Sequence, residues 1–221
     1  MRHRIGTRWS LASGTGRRQR TALVTLLIAT LGASRDRETP DVATAATPTF
    51  RRRTVEYTLQ STSITNLIAE HRALAARGGA PATFGFTSWK VSITTSPRNG
   101  IATSCSPDRI LFLVELTTTL PAATKSSEFS EADSRSWSEF LSALKRHEAK
   151  HDSITVSEVT KFLTEVEQEA IRSPSSKSIP ACVADVLERL QRASASFDQV
   201  SGHGRTEGVV LILRRPPSHE F

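Results

Sequence analysis

Across residues 137–171 the chain keeps a helical period without interruption. Trp137, Phe140, Leu141 and Leu144 recur at spacings of three and four, and Ile154, Val159, Phe162, Leu163 and Val166 carry the apolar surface onward. This is the pattern of one buried helix face, and neither Gly nor Pro breaks it before Pro174. Other segments carry a period nearer two. Val55, Tyr57 and Leu59 predict a strand over 54–60, and Phe86, Trp89, Val91 and Ile93 predict a second over 84–95.

Between these strands Ser63 has the character of an N-cap for a helix bearing Ile64, Leu67, Ile68 and Leu74, which Gly78, Gly79 and Pro81 end. Pro97-Arg98-Asn99-Gly100 is a turn signal. The apolar run at 109–119 predicts a third strand, stopped by Leu120-Pro121. Residues 173–180 read as a hinge, and 181–197, with Val183, Val186, Leu187 and Leu190 in a stripe, as a second helix packing back on the first. The predicted fold class is therefore α+β: a small antiparallel sheet packed on a long helix and a second antiparallel helix. An exposed strand edge can hold an extended peptide by backbone pairing, although a sheet of this kind can equally serve only to cover the helix.

The first 33 residues have another character. Arg17, Arg18 and Arg20 precede the apolar run 21–33, which is short for a bilayer span and matches a secretory h-region with small residues near Gly32 to Ser34. We expect 1–33 to be a signal peptide, with an uncleaved membrane anchor as the alternative, and the protein to be secreted or periplasmic. Residues 34–53, rich in Thr, Ala and Pro, read as a flexible linker, followed by a domain over 54–208 and a tail over 209–221.

The net charge of +7 changes meaning once it is divided. Residues 1–53 hold eleven Arg against Asp36, Glu38 and Asp41, a balance of +8, which leaves the rest of the chain at −1. That excludes a phosphate-binding footprint on the domain, and no nucleic-acid partner is expected. Cys105 and Cys182 have no metal-ligand neighbours at short spacing. Behind an export signal they are expected to form one disulfide, the competing reading being two buried thiols.

The chemistry lies on the long helix, where His147-Glu148-Ala149-Lys150-His151 forms an HExxH pattern. One turn apart on one face, the two imidazoles can bind a single zinc ion. Glu148 projects near that ion without being a ligand, and it can take a proton from a metal-bound water and pass it to a leaving group. A chance match on a charged amphipathic helix is the competing reading.

A catalytic zinc needs a third protein ligand. The extended pattern with a nearby third His is excluded, because Ile154 and Ser157 occupy the positions that would hold Gly and His. On an unbroken helix Glu165 lies about 21 Å along the axis from His151, and Glu158 about 10 Å, so neither reaches. A returning second helix brings 198–203 back beside the histidines. His203 is the preferred third ligand, and Asp198 either orients a ligand or serves as the ligand instead. Tyr57 and His71 are candidates for stabilising an oxyanion.

Taken together, the export signal, Tyr57, Trp89, Cys105, the His147–His151 motif and the ending Phe197-Asp198, Ser201, His203-Gly204, Glu207-Gly208 resemble the bacterial domain-of-unknown-function family 922, described as predicted secreted zinc-dependent proteases. The resemblance covers roughly 54–208, with HExxH as its specific part. Phe197 stands where the family usually has Tyr, and Glu207 where it has Gln. The resemblance implies a zincin-like peptidase that uses Zn²⁺ on peptide or protein substrates, touching a membrane only through an uncleaved N-terminal segment. Two other readings stay open: a zinc-stabilised binding module without turnover, and an exported structural α+β domain with an accidental motif.

Overall fold

A computed structural model describes residues 23–24, 47–95, 105, 110–172 and 177–212. The expected signal peptide apart from Leu23 and Val24, the linker before 47, the turn at 97–100, the hinge residues 173–176 and the tail beyond 212 lie outside the described residues. In chain order the elements are β1 (Leu23–Val24), β2 (Thr49–Leu59), α1 (Ile64–Ala76), β3 (Phe86–Thr95), β4 (Ile110–Ala123), α2 (Glu131–Arg172) and α3 (Ile179–Ser201). Short 3₁₀ turns stand at Ser126–Glu128 and Arg205–Glu207.

The class is α+β as expected, with a correction to the sheet. Its order is β1-β3-β4-β2, and β1 pairs parallel with β3, Leu23 opposite Lys90 and Val24 opposite Val91, so the sheet is mixed rather than antiparallel. β2 begins at Thr49, inside the stretch expected to be linker, and Val55 is 42% exposed while Leu59 is fully buried. β4 continues through Pro121 to Ala123 instead of stopping before it. A proline removes one ladder donor, a loss confined here to the strand's last three residues, and its ring is buried.

Both long helices exceed their predicted bounds because their caps lie outside the apolar stripe. Ser130 caps α2, accepting from the Asp133 N–H at 3.1 Å, and Glu131 and Asp133 add negative charge to the first turn. Ser178 accepts from the Ala181 N–H at 3.4 Å at the start of α3. In α1, Ser63 caps as predicted, and Gly78 and Gly79 close the helix with N–H bonds to Ala75 and Leu74 carbonyls.

The chain packs as two compact units, each assembled from three stretches of sequence. The first comprises residues up to Arg52, Ser88–Leu116 and Ile154–Ala193. Its core joins Trp89, Val91, Ile93, Phe112 and Val114 from the strands to Val159, Phe162, Val186 and Leu190 from the helices. A disulfide links Cys105 and Cys182 in this core, with Cα atoms 6.3 Å apart and a sequence separation of 77. The Cys105 N–H also donates to the Lys177 carbonyl at 2.8 Å.

The second unit comprises Arg53–Thr87, Thr117–Ser153 and residues from Ser194 onward. Leu59, Ile64, Leu67, Leu120, Phe129, Trp137, Phe140 and Leu144 form its core. Phe140 packs edge-on against Phe84 at 5.2 Å and beside Trp137 at 5.5 Å. Every side chain of the expected site falls in this unit.

Closing a loop of 77 positions removes about 4 kcal/mol of unfolded-state entropy in the chain-entropy treatment. Reduction, or the pair Cys105→Ser and Cys182→Ser, is therefore expected to lower Tm by roughly 10 °C, measured by calorimetry. An unchanged Tm would mean that the cross-link contributes nothing to the folded state.

Candidate metal centre

In α2 the stripe Trp137, Phe140, Leu144 is continued by His147 and His151, and both imidazoles are buried. In α3 the stripe Val186 and Leu190 is continued by Ser194, Asp198 and Ser201, all less than 5% exposed. Within the second unit these polar ends meet. Asp198 Oδ1 lies 2.9 Å from His151 Nε2 and 3.4 Å from His147 Nε2.

One donor atom from each of His147, His151 and Asp198 falls within a 4.8 Å span, so among the described residues these three form a group able to hold a metal ion. Donors about 2.1 Å from a tetrahedral ion stand about 3.4 Å apart. The His147–Asp198 separation has that value, and the shorter His151–Asp198 separation is a hydrogen bond.

Outer partners turn both rings so that Nε2 faces the cluster. His147 Nδ1 meets Glu207 Oε2 at 2.8 Å, and Glu207 Oε1 pairs with Lys150. His151 Nδ1 meets Ser194 Oγ at 2.9 Å. Phe197 stacks on His147 at 5.0 Å with 23° between ring planes and stands edge-on to His151, also at 5.0 Å. Burial disfavours a charged His147, but its bonds to Asp198 and Glu207 and the nearby charge of Glu148 outweigh it and raise the pKa above the ordinary value. Glu207 moves the other way: burial pushes it up, and its bonds to Lys150 and His147 bring it below the usual carboxylate range.

Glu148 is buried beside the strand rather than exposed. Thr87 Oγ1 donates to its Oε2 at 2.7 Å, and Gly85 lies so close that a Cβ there would stand 2.5 Å from Oε1. Thr83 Oγ1 bonds the Gly85 carbonyl at 2.6 Å, and the Tyr57 hydroxyl donates to the Phe84 carbonyl at 3.0 Å. Tyr57 also meets His71 Nδ1 at 2.9 Å, while His71 stacks on Phe84 at 3.9 Å. Burial raises the Tyr57 pKa and is the largest influence lowering that of His71. These two candidates for an oxyanion helper thus hold the loop that lies against Glu148.

His203, preferred as third ligand from sequence, is not brought into the donor group. Its side chain is 69% exposed, with Nδ1 3.9 Å from Asp198 Oδ2. Its backbone explains the placement: the His203 N–H bonds the Asp198 carbonyl at 2.7 Å, and the residue takes a left-handed φ of 55° between two glycines. That turn carries the side chain outward. Asp198, the alternative ligand, takes the inner position. Sequence reasoning missed Ser194, Thr87, Gly85 and Lys150 as members of the site.

The family profile for bacterial proteins of unknown function, DUF922, matches residues 54–204. This chain is a DUF922 protein. No curated protein and no solved structure matches it. The DUF922 match contains His147, Glu148, His151, Asp198 and His203, and Glu207 follows it by three residues. Phe197 supplies the ring stacked on His147 and Glu207 the carboxylate on its Nδ1.

Gly204 has a φ of +83°, and a Cβ there would stand 2.6 Å from Val209 Cγ2 and 3.2 Å from His147 Cγ. Gly202 has a φ of +58°, and its nearest neighbour to such a Cβ is Arg205 Cβ at 3.7 Å. Left-handed strain alone costs about 1–2 kcal/mol. Chemical unfolding should therefore show Gly202→Ala losing about 1 kcal/mol and Gly204→Ala clearly more. Equal losses would show that close packing against His147 carries no weight.

Proposed function

We propose that this protein is an exported zinc-dependent metallopeptidase. The observation that carries the reading is the meeting of His147 Nε2, His151 Nε2 and one Asp198 carboxylate oxygen at a single buried point, with the glutamate of the HExxH pattern one residue after His147. Two imidazoles and a carboxylate form a donor set that suits zinc and leaves a fourth position for water. Zinc bound there would polarise a carbonyl and acidify that water. Glu148 would accept its proton and deliver it to the departing amine. Thr87 and Gly85 limit where the Glu148 carboxylate can turn.

The buried cross-link between Cys105 and Cys182 suits an oxidising compartment. No helix among the described residues is long and apolar enough to cross a membrane. Both are compatible with a secreted or periplasmic address. A second reading, a zinc-stabilised binding module without turnover, is favoured by the burial of all three donors to less than 5% exposure.

Metal analysis and peptide hydrolysis by the purified mature protein test the two readings together. Stoichiometric zinc is expected, lost in His147→Ala and in Asp198→Ala. Glu148→Gln should keep the metal and reduce kcat by roughly 10²- to 10⁴-fold. A protein that takes up no zinc refutes both readings, whereas zinc without hydrolysis of any peptide in a mixed library selects the second. Because the imidazoles bind metal only when neutral, the raised His147 pKa means that zinc affinity should climb with pH until His147 is fully deprotonated and then level off. Titration with a competing chelator at several pH values measures this; a flat profile contradicts the assignment of His147.

A further inference from the structure

The carboxylate of Glu207 sits at the edge of the cluster with both oxygens engaged, Oε2 on His147 Nδ1 at 2.8 Å and Oε1 on Lys150. Its side chain is 17% exposed. The His147 ring meets Glu207 at Nδ1, Asp198 beside Nε2 and Phe197 over one face, and Gly204 is so near that a Cβ would stand 3.2 Å from Cγ. A neutral imidazole has one N–H and one lone pair, and an ionised carboxylate can only accept. A carboxylate stands at each nitrogen, Glu207 at 2.8 Å from Nδ1 and Asp198 at 3.4 Å from Nε2; the shorter contact has hydrogen-bond length, so the proton sits on Nδ1 and the lone pair on Nε2.

We infer that Glu207 is a positioning residue that fixes His147 as the Nδ1–H tautomer and so makes its Nε2 a metal donor, with Lys150 anchoring the carboxylate. His151 has a different arrangement. Its Nδ1 meets the Ser194 hydroxyl at 2.9 Å, a group that can donate or accept and does not by itself choose a tautomer. The two histidines of the motif are thus unequal: His147 has a carboxylate from the Arg205–Glu207 turn on Nδ1, whereas His151 has a neutral hydroxyl from α3 there and its carboxylate contact, Asp198 at 2.9 Å, on Nε2. Outer partners of this kind typically change metal affinity 10- to 100-fold.

This inference rests on the metal reading above, and the test separates the two. Zinc affinity is measured by chelator competition for the native protein, Glu207→Ala, Glu207→Gln and Ser194→Ala. In parallel, long-range ¹⁵N–¹H correlation of the imidazoles is recorded on the metal-free native protein at alkaline pH, where both rings are neutral. Expected are a roughly 10- to 100-fold loss for Glu207→Ala, most of it recovered in Glu207→Gln because an amide oxygen can accept the same N–H, and a smaller loss for Ser194→Ala. The native spectrum should show the His147 proton on Nδ1. A Glu207→Ala protein that binds zinc within threefold of native, or a native His147 protonated on Nε2, overturns the inference. A native protein that binds no zinc removes the metal reading, while the spectrum, which needs no variant to fold, still decides what Glu207 does to the ring.

Discussion

Two imidazoles and a carboxylate are buried at one point in the second unit, and the arrangement around them follows from the cost of placing polar atoms there. An unpaired buried polar group costs about 1–3 kcal/mol, and a charged one more. Three ring nitrogens accordingly have hydrogen-bond partners, His151 Nε2 in Asp198, His147 Nδ1 in Glu207 and His151 Nδ1 in Ser194, while His147 Nε2 stands 3.4 Å from the Asp198 carboxylate. The same demand explains the entry to β3, where Thr87 on the strand satisfies one oxygen of Glu148 and Gly85 just before it yields the space for the other.

Much of this was legible because helices express burial as a period. The stripe of α2 runs from Trp137 through Leu144 and then places His147 and His151 where apolar residues belong, which marks them as inward before any motif is invoked. The return of the second helix to the histidines followed from helix lengths alone. The choice between Asp198 and His203 did not, since it turns on where α3 ends. With the helix continued to Ser201, Asp198 remains on the buried stripe and His203 falls in a left-handed turn outside it.

Less of the strand side was read correctly. Trp89, Val91 and Ile93 set a strict alternation, and stepping back by two gives Thr87 and Gly85, both buried and both against Glu148. Reading Phe86 into that series shifted the register by one and hid them, because a phenylalanine attracts an inward assignment that a threonine and a glycine do not. Glu207 offered no periodic signal at all, being in a 3₁₀ turn between left-handed glycines. The parallel pairing of β1 was likewise invisible, since two residues form no pattern.

The donors are unevenly spread along the chain: His147 and His151 are one turn apart, while Asp198 follows 47 positions after His151. An unfolded polypeptide therefore presents a bidentate grip at best, and the third contact appears only when the two helices have closed over a long intervening segment. Loop closure of that range is slow compared with local helix formation. The three-donor group is thus a property of the folded unit and of no local stretch of the chain.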